Sequence, residues 1–197
     1  MNILVLGPPG SGKSTQAKLL AEEEGLKLFS TGAVLRNIAN DPTNKQYQII
    51  KNEMSAGNIV DDSIVNPILA KALLENMGDK MVIDGVPRRF SQVNLLDYTL
   101  DSVGKKIDLA IFIDTSVEES VKRILSRAKL EDRADDNIKA IKIRVELYHK
   151  ETEPVLKAYK QRGILYRVPG GESIDNIHSN IVNIVNSFRS ALPITGK

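Results

Sequence analysis

The sequence predicts an α/β fold in which a parallel five-stranded sheet is flanked by helices. Short apolar runs recur as strand candidates at Ile3–Leu6, Lys27–Phe29, Met81–Ile83, Leu109–Ile113 and Ile164–Arg167. Stretches with helical spacing separate them, and that alternation is the pattern of parallel crossover units. Several runs are apolar at nearly every position, as strands covered on both faces are. A chain of 197 residues supports one sizeable core rather than two, so residues 1–197 read as a single domain.

Each element has its own local reason. The first strand runs into GPPGSGKSTQ, where glycines end it and a helix opens at Lys13 and continues to about Glu24. A helix over Gly32–Asn40, an interrupted helical stretch over 44–77, and helices over Phe90–Val103 and Val117–Arg127 follow the next strands. From Asn137 to Gln161 the apolar residues Ile138, Ile141, Val145, Tyr148, Val155 and Tyr159 fall at three- and four-residue intervals, predicting one long helix that Pro154 bends or breaks. The closing helix carries Ile174, Ile177, Ile181, Ile184 and Phe188 on one stripe, with asparagines opposite. Two stretches exceed what a crossover requires: the helical excursion after residue 31 and the charged segment AKLEDRADD at 128–136. Insertions on an α/β core are where substrate sites and lids are built.

Composition narrows the function. A net charge of +2 gives no case for wholesale binding to nucleic acid or membranes, so basic chemistry has to be local. The absence of cysteine excludes disulfides and thiolate metal sites, and with two histidines, His149 and His178, no structural zinc is expected. There is no signal-like N-terminal segment and no apolar run near the roughly 18 residues of a membrane span, so the cytoplasm is the expected location.

The motif Gly7-x-x-x-x-Gly12-Lys13-Ser14 follows a strand and opens a helix, the context in which it forms a phosphate-binding loop (P-loop). Its backbone N–H groups and the helix N-terminus cradle an anion, Lys13 reaches the β- and γ-phosphates, and Ser14 can ligate Mg²⁺. In MVIDG, residues 81–85, Asp84 ends a strand and is the candidate to hold that magnesium or its water shell. Nucleotide and metal do not by themselves distinguish an enzyme from a switch. Arg36, Arg88, Arg123, Arg127, Arg133 and Arg144 do: they ring the place where a second phosphate would meet the first. A kinase that phosphorylates another nucleotide must hold two polyanions in line, and arginine clamps do this. An acceptor phosphate is already an anionic nucleophile, so no general base is needed, and neither histidine is placed as one.

With GPPGSGKSTQ, STGAVLR, MSAGNIVDD, DGVPRRFSQ, VKRILSR, DRADD and RVELYHKETEPV, the chain resembles the adenylate kinases, within the nucleoside monophosphate kinases, from Met1 to about residue 188. The resemblance implies a monophosphate-binding portion at 31–60 and a short lid at 128–136, with no zinc-bearing insertion. It implies that Gly10, Ser11, Gly12, Lys13, Ser14, Thr15, Arg123 and Arg127 bind ATP, with Gly170 and Glu172 bordering the donor base. Thr31, Gly32, Arg36, Asn58, Val60, Gly85, Arg88, Gln92, Arg133 and Arg144 would bind AMP, with Gln92 reading the adenine edge. Lys13, Arg88, Arg127, Arg133 and Arg144 would act on the transferring phosphoryl group, and Asp135 and Asp136 would close the lid. The implied partners are ATP and AMP alone, with Mg²⁺ as cofactor and a monomer as the family default. The chain departs from the family at Ser14, where glycine is usual, and at Val86 in place of phenylalanine, which trims packing beneath the monophosphate site. Arg89 is an added charge, expected to be solvated. A UMP/CMP kinase and an ATP-driven switch without an acceptor are the competing readings; Gln92 argues against the first and the arginines against the second.

Overall fold

A computed structural model describes residues 1–131 and 137–191. The strands are β1 (Asn2–Leu6), β2 (Lys27–Ser30), β3 (Met81–Asp84), β4 (Leu109–Asp114) and β5 (Leu165–Pro169), all parallel and ordered β2-β3-β1-β4-β5. The helices are α1 (Lys13–Glu23), α2 (Thr31–Ala39), α3 (Tyr47–Ala56), α4 (Asp62–Glu75), α5 (Phe90–Asp101), α6 (Val117–Glu131), α7 (Ile138–Leu147), α8 (Glu153–Gln161) and α9 (Ile174–Ala191). No helix among the described residues is long and apolar enough to cross a membrane.

Period-two alternation divides the core between the two faces of the sheet. Leu4 and Leu6 of β1 join Phe29, Ile83 and Phe112 under α2, α3, α4, α5 and α8. Ile3 and Val5 join Val82, Ile111 and Val168 under Ala17, Leu20 and Ala21 of α1 and Ile177, Ile181 and Val185 of α9. Both faces are covered, which is why the strands read as unbroken apolar runs. β1 lies at the centre of the sheet. Its partners β3 and β4 are joined by a crossover that passes over it, so a crevice opens at the carboxyl end of β1, where open α/β sheets bind ligands.

The expected long helix is divided. Between α7 and α8 the segment Tyr148–Thr152 is a π-helical turn, and Pro154 falls in the first turn of α8. Proline lacks an N–H, and its ring crowds the carbonyl four residues back, so the break comes in the turn that precedes it. The turn is not idle: Thr152 Oγ1 donates to the backbone O of Arg88 at 2.9 Å. Val86 is buried, and a small void of about 10 Å³ lies among it, Phe29, Leu69 and Leu96.

Candidate active site

The loop after β1 turns through Gly10 at φ +83° and Gly12 at φ +88°. Gly10 also has no room for a side chain, because a Cβ there would lie 2.3 Å from the backbone O of Ser120 on α6. The loop closes on itself through Ser11 N–H to Pro8 O at 3.1 Å, and Lys13 Nζ donates to the same carbonyl at 3.2 Å. Beside it, Asp84 ends β3 almost fully buried. Its Oδ2 accepts from Ser14 Oγ at 2.7 Å and Ser30 Oγ at 3.3 Å, while Oδ1 has no protein partner. Adjacent pairing of β1 with β3 brings these 70-residue-distant groups together.

Cations converge on this point. Burial pulls the Lys13 ammonium down to about 7; Asp84 opposes the shift, and Arg88, Arg144 and Arg127 add to it. Such a group is primed for an anion, since phosphate would restore both its charge and its partner. A cavity of about 460 Å³ is lined by the loop residues Gly10–Gln16, by Asp84, and by Arg123, Arg127 and Glu172. A second cavity is lined by Thr31, Asn58, Val60 and Gln92. The two share Gly32, Arg36, Gly85, Arg88 and Arg144 in their walls. Gly32 packs against the Arg36 guanidinium, which lies 3.0 Å from where a Cβ would stand.

Most residues expected in a nucleotide site are therefore brought together. Arg123 spans the first cavity, donating to Glu119 Oε1 at 2.7 Å, to the Ser11 carbonyl at 3.4 Å and to the Glu172 carbonyl at 3.4 Å. Gly170 is not in that wall; it packs against Thr115 and Ile113, tightly enough that a Cβ would lie 2.0 Å from Thr115 Oγ1. Arg133, Asp135 and Asp136, with Asp132 and Ala134, lie outside the described residues.

Three findings were not read from the sequence. Ile174, expected in a buried stripe, is 56% exposed and lines the first cavity with Ile177, giving it an apolar wall. Gln16 is buried in the same wall; its Nε2 donates to Ile174 O at 2.8 Å, and its Oε1 meets His178 Nδ1 at 3.2 Å. His178 in turn meets Glu23 Oε2 at 2.6 Å, whereas His149 pairs with Glu153 in solvent. Removing the His178 imidazole frees one end of Gln16, so His178→Ala should raise the KM of a nucleotide bound in the first cavity about fivefold, the worth of one hydrogen bond, with the KM of any second substrate unchanged in steady-state assays. Third, Arg89 is held by partners within the protein rather than left to solvent alone. Asp62 at the start of α4 lies 3.1 Å from it and Glu151 of the π-helical turn 4.0 Å, and it donates to Val60 O at 3.3 Å.

The family model described as adenylate kinase matches residues 5–164. The chain belongs to the adenylate kinase family. Adenylate kinases of Stenotrophomonas maltophilia, Renibacterium salmoninarum and Micrococcus luteus are 38%, 37% and 36% identical to it. Those alignments cover 92%, 96% and 96% of this chain, and 97%, 98% and 92% of the relatives. As an adenylate kinase family member it is an enzyme, a nucleoside monophosphate kinase that turns ATP and AMP into two ADP. Adenylate kinases generally use ATP with Mg²⁺.

Proposed function

We propose that the cavity beside the P-loop holds ATP, that the cavity beside Gln92 holds AMP, and that the phosphoryl group passes between them at Arg36, Arg88 and Arg144. The observation that carries this reading is that both cavities share those three guanidinium groups. Two polyanions brought nose to nose repel each other. Fixed cations at the junction offset that repulsion and favour the transition state, in which charge spreads over the transferring oxygens.

In this reading the P-loop N–H groups and Lys13 hold the β- and γ-phosphates of the donor, and Arg123 and Ile174 flank its base. Arg36 and Arg88 hold the AMP phosphate, with Thr31, Asn58, Val60 and Gly85 around its sugar and base and Gln92 on the adenine edge. Arg127 would face the transferring group from α6, which runs on through 128–131 of the expected lid; the roles expected of Arg133, Asp135 and Asp136 in lid closure fall on residues outside those described. Closure over the phosphates excludes water and so suppresses hydrolysis. The helical pair α2–α3, within residues 31–60, forms the monophosphate-binding portion. Both cavities are lined by residues of this one chain, so in this reading catalysis needs no second subunit.

Magnesium suits the residues present. The partnerless, buried Oδ1 of Asp84 beside the Ser14 hydroxyl is a hard oxygen set of the kind that ion takes, with phosphate and water completing its shell. When bound with ATP it neutralises charge on the β- and γ-oxygens. Lys13 and the arginines do the positioning, and the acceptor phosphate attacks without a base.

Product analysis tests the reading. Purified enzyme with MgATP should form ADP only when AMP is added, two per ATP consumed, and UMP, CMP and GMP should be poor acceptors. Acceptor-independent hydrolysis, or a preference for UMP or CMP, would overturn it. The donor wall has few side chains able to read a base, so GTP in place of ATP is expected to support appreciable turnover in the same assay.

A further inference from the structure

Gln92 is buried, and its amide is held at both ends. Its Oε1 accepts from the Arg88 backbone N–H at 2.8 Å. Its Nε2 donates to Asp62 Oδ1 at 3.2 Å, with Asn66 Oδ1 farther away at 3.4 Å. An amide in this setting has one stable polarity. Rotated by 180°, it would set an NH₂ against the Arg88 N–H and a carbonyl against a carboxylate, two like-with-like contacts in a buried place.

That polarity matters for which base is read. The pairing edge of a 6-aminopurine offers a donor at N6 and an acceptor at N1. A 6-oxopurine offers the reverse, an acceptor at O6 and a donor at N1. A side-chain amide free to rotate matches either edge, and one locked in place matches a single edge.

Asp62 is the lock. It does not line the AMP cavity, and its two oxygens are used within the protein. Oδ1 receives Arg89 Nη1 at 3.1 Å together with Gln92, and Oδ2 receives Ser91 Oγ at 2.5 Å. Arg89, which also donates to Val60 O, ties this carboxylate to the backbone that borders the same cavity. We infer that Asp62 is a positioning residue that sets acceptor-base selectivity: by fixing the polarity of the Gln92 amide, with Arg89 and Ser91 holding it in place, it makes the site accept a 6-aminopurine monophosphate and refuse a 6-oxopurine. The inference rests on the reading that Gln92 meets the acceptor base.

The test is the ratio of kcat/KM for AMP to that for inosine 5′-monophosphate, measured with MgATP in the wild type and four variants. Asp62→Ala should lower the ratio about tenfold, one misread hydrogen-bonding edge, while KM for ATP stays within about twofold. Asp62→Asn should keep most of the ratio, because its Oδ1 still accepts from Gln92 and Arg89 and the Ser91 hydroxyl can turn to accept from Nδ2. Gln92→Ala should lower the ratio at least as far as Asp62→Ala. An unchanged ratio in Gln92→Ala would overturn the reading of Gln92 itself. A lowered ratio there with an unchanged ratio in Asp62→Ala would overturn the role of Asp62 alone. Equal losses in Asp62→Asn and Asp62→Ala would show that charge rather than amide polarity is at work, and would also overturn it. Arg89→Met removes one anchor from a side chain that is one-quarter exposed, and should lower the ratio about threefold. If Asp62→Ala does not fold, an unchanged ratio in Arg89→Met is the overturning result.

Discussion

Replacing Lys13 with methionine is expected to lower kcat about a thousandfold or more in a coupled ADP assay, because it removes the cation proposed to follow the β- and γ-phosphates through transfer. Activity within tenfold of the wild type would remove Lys13 from the mechanism. A second readout is independent of turnover. With its free-enzyme value pulled to about 7, Lys13 is largely neutral at pH 8. Bound phosphates favour the ammonium, so nucleotide binding at pH 8 should take up about one proton, and at pH 6 almost none. Calorimetry in buffers of different ionisation enthalpy measures this uptake, which should vanish in Lys13→Met.

The same shift makes Lys13 a source of instability. Its folded value lies below the unfolded value of 10.5, so between about pH 7 and 10.5 the unfolded chain binds the additional proton. The penalty is full below pH 7 and is relieved as pH rises through that window. Lys13 is only partly buried and keeps one side open to the cleft, where water offsets part of the desolvation that causes most of the shift, so a penalty of about 2 kcal/mol is expected rather than the whole shift. Lys13→Met should therefore melt about 4–8 °C above the wild type at pH 6, with the gain shrinking toward pH 10. A melting temperature below the wild type at pH 6 would show that Lys13 is stabilised by its contacts with Pro8 and Asp84 rather than strained by its neighbours.

What could be read from the sequence was what is local along the chain. The P-loop is one turn between a strand and a helix, so its spacing identifies it, and an acid closing an apolar run marks Asp84 as the tip of a strand. The arginines were legible only jointly, as a set too large for one phosphate, and Arg36, Arg88, Arg123, Arg127 and Arg144 line one cavity although α2, α6 and α7 carry four of them. The misreadings concern residues whose role depends on a distant partner. Arg89 looked solvated because Asp62, 27 residues earlier, and Glu151, on the π-helical turn, are not adjacent in any pattern. Gln16 and Ile174 are 158 residues apart, and their hydrogen bond exists only because α1 and α9 pack on the same face of the sheet. Ile174 kept the helical spacing of its stripe, yet it sits at the first residue of α9, where the helix emerges into the cleft. Strand ends shifted for a related reason: β4 runs on to Asp114 and β5 to Pro169, because ladder pairing rather than hydrophobicity decides where a strand stops.

Arg88→Lys is the second large effect expected, a fall in kcat of about a hundred- to a thousandfold. The substitution keeps the charge and removes the planar fork that can grip two phosphate oxygens at once. The wild-type side chain is oriented by Nε donating to the Gly85 carbonyl at 3.2 Å. Its backbone is pinned on both sides, by Gln92 Oε1 on the N–H at 2.8 Å and by Thr152 Oγ1 on the carbonyl at 2.9 Å. Those two bonds are to main-chain atoms and survive the substitution, so the melting temperature should move little and the kinetic loss is not one of folding. The division between kcat and KM identifies the role. Arg88 borders both cavities, so in the proposed arrangement it would meet the group in transit as well as the AMP phosphate, and interactions that strengthen only in the transition state appear in kcat. A higher KM for AMP with kcat unchanged would place Arg88 in ground-state binding and leave Arg144, which also borders both cavities, as the residue to test for stabilisation of the transferring group.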